Sequence, residues 1–455
     1  MTYLKIKILA LFLVLNVFWT VNIFAQENLN LNNVDKLTYH YYQQKEWNKL
    51  IDLGKKALKS DIDFYYLQYR MGIAYYSQKN YRKSIPFLEN VSNRSPEDEV
   101  AKEYLYFAYL NSAQISDARK ILLSLDRDHR EKVSFYNSNN LFNSLGFEYK
   151  YYSFGEYNVS SEVTGNITQR TRNTMNYYSV DLFNFSEGNS NFFFNYSLIT
   201  GENSIYDSTY SASIIDEKIK QHQFYFSWNT RISKGTNLKV GLTYMREISD
   251  WFGTISSGYG TGYGSGYGSG YGGGSGGSSS YYIPNNSENN FVGYLSLSKS
   301  IKNTDLSFGG SASNINDEVQ FQPFISLKYY PFGNKFLYSN TSIIYQYNLF
   351  DTNKNNYIIK QNIGSNFNSK FSMNIFGMYG KAYNFIDNDG QIIYNSYDAT
   401  NYWYGLNSNY YFSKHFQAYI ELRNVMQTNE YEKYYNKMET EYELKSILVG
   451  LRFNF

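Results

Sequence analysis

The last fourteen residues of the chain, Tyr442 to Phe455, alternate in character. Ile447, Val449, Leu451, Phe453 and Phe455 fall on one face, and Ser446, Gly450, Arg452 and Asn454 on the other. A period of two is a strand with one apolar and one wet side. The pattern recurs back to about Asn143 in fourteen segments, centred near 145–153, 175–185, 191–200, 221–232, 237–247, 290–299, 304–312, 318–330, 335–347, 356–366, 370–384, 401–412, 415–426 and 442–455. About ten residues is the length a tilted strand needs to cross a bilayer. The connections alternate too. Short ones (186–189, 233–236, 300–303, 331–334, 366–370, 413–414) are interleaved with mostly longer ones (154–174, 201–220, 248–289, 348–355, 385–400, 427–441), 313–317 being the exception. A soluble sandwich also has short alternating strands, but it explains neither the strand length nor the loop asymmetry. The expectation is an antiparallel transmembrane β-barrel of about fourteen strands, its two ends on the tight-turn side.

Parity divides inside from outside. Phe192, Phe194, Tyr196 and Leu198 share the apolar face, as do Phe224, Phe226 and Trp228, Leu238, Val240 and Leu242, and Phe416, Ala418, Ile420 and Leu422. The opposite parity holds Glu148, Lys150, Asp181, Arg231, Lys239, Lys328, Lys360, Glu421, Arg423 and Arg452. A Lys or Arg facing lipid at mid-bilayer costs roughly 2–4 kcal/mol. These residues are therefore expected to line the lumen, which leans cationic on this reading.

Ahead of the barrel the period changes to helical. Met1 to Ala25 reads as a signal peptide: Lys5 and Lys7, an apolar run from Ile8 to Val21, and a cleavage site before Gln26. From residue 31 to 133 the chain matches itself at a shift of 34 residues. Tyr41, Tyr42, Gln44, Lys45 and Trp47 overlie Tyr75, Tyr76, Gln78, Lys79 and Tyr81, and a further shift brings Ala108 and Tyr109 onto Ala74 and Tyr75. That period is the tetratricopeptide repeat's. In the middle copy Gly72, Tyr75, Ser84, Leu88 and Pro96 stand where that pattern has Gly, Tyr, a small residue, a large apolar residue and Pro. The fold class expected is thus α+β and multidomain: a short α-solenoid of three repeats (31–133), a linker (134–142) and the barrel (143–455). Such stacks bind proteins on a concave face, so a periplasmic protein partner is expected.

Chemistry is sparse. There is no cysteine, which removes disulfides, thiolate metal sites and a Cys nucleophile. The four histidines, His40, His129, His222 and His415, sit in no local catalytic motif. No catalytic residue, metal or cofactor is assigned, and the chain is read as a non-enzyme. A net charge of +2 gives no reason to expect nucleic acid. Aromatics reach 20%, with 51 Tyr, whose apolar body and polar tip suit a membrane interface. The segment 251–287 has no charged residue, and its centre repeats Gly, Tyr and Ser around Tyr259, Tyr263, Tyr267 and Tyr271. It reads as an irregular outer loop.

The closing strand ending in Phe455 resembles the terminal signature of bacterial outer-membrane β-barrels, which implies recognition by the barrel assembly machinery. The order signal peptide, repeats, barrel resembles the outer-membrane exporters of cellulose and poly-N-acetylglucosamine. It is also similar to the shorter repeat-plus-barrel proteins of Bacteroidetes, including the YaiO-type barrels. The resemblance implies a Gram-negative outer membrane, repeats in the periplasm, and a channel or export role for a polysaccharide or protein. The alternative is a non-conducting surface scaffold or adhesin displaying the Gly/Tyr-rich loop.

Overall fold

A computed structural model describes residues 29–133, 142–155, 168–184, 190–207, 213–256, 278–395, 398–433 and 436–455. The chain divides into two compact units, Met1–Leu105 and Tyr106–Phe455.

Among the described residues, seven helices in a repeat-like arrangement precede the strands: α1 (Leu31–Gln43), α2 (Trp47–Lys59), α3 (Tyr65–Ser77), α4 (Tyr81–Arg94), α5 (Glu99–Asn111), α6 (Ile115–Ser124) and α7 (Arg127–Val133). Small residues set how closely the pairs approach. A Cβ on Gly72 of α3 would come within 2.7 Å of the Leu88 side chain of α4. Ser84 donates to the Gly72 carbonyl at 2.8 Å, so its buried hydroxyl is satisfied. Tyr75 stacks on Phe87, and α4 ends at Arg94, two residues before Pro96. Pro96 lacks the amide that another turn would use, whereas Pro86 is carried inside α4 near its start.

The strands are β1 (Ser144–Phe154), β2 (Thr168–Asn184), β3 (Ser190–Asp207), β4 (Ser213–Ser233), β5 (Thr236–Ser256), β6 (Ser278–Ile301), β7 (Thr304–Ser313), β8 (Gln320–Tyr329), β9 (Leu337–Asn348), β10 (Asn356–Asn366), β11 (Phe371–Ala382), the short β12 (Phe385–Asp387) and β13 (Ile392–Tyr394), then β14 (Ala399–Tyr411), β15 (Phe416–Lys433) and β16 (Asn436–Asn454). All but β12 and β13 form one closed antiparallel barrel of fourteen strands, in which β1 pairs with β16. The fold class expected from the alternation is the one observed. Closure leaves no sheet edge unpaired around the ring, which an open sheet in lipid would do at high cost.

Several strands run past their expected ends. β5 reaches Ser256 and β6 starts at Ser278, inside the segment taken from the sequence as loop 251–287. Apolar alternation fades toward these strand ends, but the hydrogen-bond ladder does not depend on it. β6 at 24 residues is more than twice what a bilayer crossing requires.

Outside, the barrel is apolar. Phe147, Phe194, Phe224, Leu242, Leu295, Phe308, Ile325, Ile343, Ile359, Ile375, Ile420, Val449 and Leu451 are exposed on strands all round the ring. Monomers in water rarely expose an apolar surface beyond a few hundred Å². Inward positions hold many Ser, Asn, Gln and charged side chains, with Tyr225, Met245, Tyr294, Ile344 and Trp403 among them. The pattern of a closed, even-numbered barrel, apolar outside and polar inside, is that of transmembrane β-barrels.

Candidate functional site

The connection between β11 and β14 turns into the barrel. Its sequence, Asn384-Phe-Ile-Asp-Asn-Asp-Gly390, is rich in residues that accept a left-handed backbone, and φ is positive at Asn384, Asn388, Asp389 and Gly390. The tight turn lets Phe385–Asp387 pair with Ile392–Tyr394 as a hairpin. The hairpin crosses the lumen to β4 and β5, which lie six strands from its roots in either direction around the ring. There Tyr225 donates to the Asp389 carbonyl at 3.2 Å and Thr243 to the Gly390 carbonyl at 2.6 Å. Gln223 donates to the Gln391 carbonyl. Lys239 pairs with Asp389, and Lys360 of β10 with Asp387. Arg423 of β15 donates to the Tyr394 hydroxyl, and Arg172 of β2 to the Asn395 carbonyl at 3.1 Å. Two small apolar clusters assist. Phe385 packs among Ile344, Ile358, Met378 and Trp403, and Ile386 and Ile393 pack with Met245, Val292 and Ile315.

On the short-turn side of the hairpin lies a chamber of about 1190 Å³. At its other end Ala113 to Asp117, the corner leading into α6, also line it. Asp117 accepts from Arg231 Nε at 2.6 Å and from the Gly235 amide at 3.1 Å, and the Lys335 amide donates to the Asn111 carbonyl at 3.2 Å. Lys239, Lys328, Lys360, Glu421, Arg423 and Arg452 are all among the lining residues, and Arg231 stands beside them at Asp117. Lys328 lies over the Tyr338 ring at 4.2 Å.

The cationic lean expected from the strands is corrected here. Asp387 and Asp389 from the hairpin and Asp117 from α6 join the chamber and pair with Lys360, Lys239 and Arg231. The strand alternation could not count these acids, because none of them lies on a barrel strand. The run Asn388-Asp389-Gly390 signals a tight turn in the sequence, but not which way it points.

A second network crosses the closing seam. Asp181 of β2 reaches over Gly146 of β1 to Arg452 of β16, accepting at 2.9 and 3.1 Å. Tyr419 of β15 reaches over Gly450 of β16 and donates to Glu148 of β1 at 2.5 Å. A side chain on either glycine would overlap the group that lies across it. Ser179 also donates to Glu148, and Lys150 and Arg423 both meet Glu421, at 3.3 and 3.0 Å.

Among the repeat positions, Leu88, Ala108 and Tyr109 are buried, Tyr41 is half-buried, and Pro96 is exposed. Within the first unit Tyr39, Tyr42, Tyr65, Tyr66, Tyr69, Arg70 and Asp98 line a groove of about 500 Å³. Arg70 lies over the Tyr39 and Tyr66 rings and pairs with Asp35. Burial pushes the Tyr69 phenol up to about 12. His222 sits in mid-strand against the Tyr196 hydroxyl at 2.9 Å, and His415, placed by the alternation in a strand, is in the β14–β15 turn. Tyr259, Tyr263, Tyr267 and Tyr271, the signal peptide, and 134–141 of the linker lie outside the described residues.

No protein-family model matches the chain, and no curated protein does. Among solved structures it is similar to outer-membrane barrels. The Pseudomonas putida toluene transporter TodX is 7% identical, with 71% of this chain and 95% of that one covered and a TM-score of 0.42. A Pseudomonas aeruginosa FadL homologue is 11% identical over 69% and 90%, with a TM-score of 0.39. The KdgM porin is 10% identical over 54% and 99%, with a TM-score of 0.26. At these identities nothing about substrate or partner follows from them.

Proposed function

We propose that this barrel spans the outer membrane of a Gram-negative bacterium and provides a gated path for a polar solute or an exported polymer. The observation that carries this is the hairpin Phe385–Tyr394, fastened to the barrel wall largely by polar contacts above a chamber whose lining mixes charged and polar groups with aromatic ones such as Phe193, Phe324 and Trp403. A barrel serving only as an anchor needs no such chamber. A permanent plug would more cheaply be an apolar core, because ion pairs taken from water contribute little net stability. Fourteen strands lie between the eight that side chains fill and the sixteen to eighteen that leave a water channel, so one loop hairpin suffices to close the path. On this reading the helices preceding the barrel are tetratricopeptide repeats in the periplasm, and their tyrosine-lined groove receives a protein partner.

The test is planar-bilayer conductance of the full chain and of a variant lacking 385–395 with a short Gly-Ser link. The unaltered barrel should be closed most of the time and the deletion steadily open. A deletion variant that folds yet stays silent would instead favour the surface-scaffold reading, which the many contacts of the hairpin also fit. Because the chain has no cysteine, a Lys239→Cys, Asp389→Cys pair gives a clean reversible lock for the same experiment.

A further inference from the structure

The barrel rim at the short-turn end carries a lysine in every described turn. Lys234 stands between β4 and β5, Lys302 between β6 and β7, Lys335 between β8 and β9, Lys370 between β10 and β11, and Lys414 between β14 and β15. In the ring order these turns follow one another, so the lysines form an unbroken arc. No acidic residue stands in any of the five turns. Lys234, Lys302, Lys370 and Lys414 are exposed, whereas Lys335 is half-buried and burial holds its ammonium below the usual lysine range.

Each lysine of the arc has an exposed apolar neighbour in the chain, Ile232, Ile301, Phe336, Phe367 or Phe412. The arc therefore sits where the apolar outer surface gives way to the wet end. A lysine there lays its stem along apolar surface and carries its charge into the headgroup layer.

We propose that this arc binds the anionic phosphate groups of phospholipids in the leaflet on the short-turn side. The inference rests on the membrane-spanning reading above. The apolar neighbours decide the occupant: lipid satisfies both the aromatic and the cationic half of the rim, whereas an acidic protein would leave the apolar half uncovered. The attraction is between exposed charges and so is screened by salt.

The experiment uses the full chain in phosphatidylcholine vesicles and measures by spin-label EPR how strongly spin-labelled phosphatidylglycerol and phosphatidylcholine associate with it. Phosphatidylglycerol should be preferred several-fold at low salt. The preference should fall away near ~0.5 M salt and in the quadruple variant K234Q/K302Q/K370Q/K414Q, and persist in the matching Lys→Arg variant. No preference in the unaltered chain overturns the proposal and leaves the rim to an acidic protein. A preference that survives the glutamine variant overturns it too, by placing the lipid site elsewhere. If the glutamine variant does not fold, the salt series on the unaltered chain decides. A chain that fails to float with vesicles at all overturns the membrane-spanning reading, an outcome scored before any lipid preference is measured.

Discussion

The closing seam and the inner hairpin use the same chemistry for different ends. At the seam, Asp181 meets Arg452 and Tyr419 meets Glu148, each reaching over one glycine between strands already fixed in register. At the hairpin, Lys239 meets Asp389 and Lys360 meets Asp387, partners that the barrel ladder does not hold together. The seam contacts belong to the wall itself. The hairpin contacts exist only if a loop folds inward, so they can be lost while the wall stays closed. Burial alone does not separate them: Asp181 at the seam is 2% exposed and Asp387 on the hairpin 7%, although Asp389 at the hairpin tip is 36% exposed. A polar contact's weight in this protein is therefore set by whether it joins strands or merely rests on them.

The sharpest way to break the comparison is at the seam glycines. Gly450→Leu or Gly146→Leu places a side chain where Tyr419 or Asp181 lies. Neither variant should yield a closed barrel, which heat-modifiable migration on SDS gels reads directly; a normal folded band would show that the crossings are incidental. Asp181→Asn is gentler. It leaves Arg452 without its carboxylate, at about 2–3 kcal/mol, less than the 3–5 of a fully buried pair because the Arg452 side chain keeps 30% exposure. The urea midpoint of the barrel in detergent should fall accordingly. Asp387→Asn with Asp389→Asn should loosen the hairpin by about 2–3 kcal/mol, since the Asp387 side chain is as enclosed as a seam carboxylate, but it should leave that midpoint nearly unmoved because the barrel ladder does not depend on the hairpin. Its effect should instead appear as brief openings in single-channel records, several-fold more frequent than in the unaltered chain. The smallest effect is expected from deleting 258–277: folding and conductance should both be unchanged. A large new conductance there would transfer the constriction from the hairpin to the Gly/Tyr tract.

Much of this architecture is legible in the residues. Fourteen alternating segments predict fourteen barrel strands, because period two is a direct consequence of strand geometry. The 34-residue period predicts helices in a repeat-like arrangement, and Gly72 against Leu88 is the close approach that its small residue implies. Strand ends were less legible. β4, β5 and β6 continue past the alternating segments, and the hydrophobic signal stops before the hydrogen bonds do.

The chamber is where sequence reasoning ran out. Parity distinguishes an inward Lys239 from an outward Val240, since adjacent strand residues face opposite ways. It cannot say which residue completes that lysine's charge, because Asp389 arrives on a loop about 150 residues later in the chain. Asp117 arrives on a helix in the same way, more than a hundred residues before Arg231. The sequence by itself determined the barrel, its strand count and its two faces, all of which follow from local periodicity. Only the tertiary structure decided that the lumen is balanced in charge rather than cationic, and that a hairpin crosses it. Those facts depend on which distant backbone segments meet inside the ring, and no local pattern encodes that.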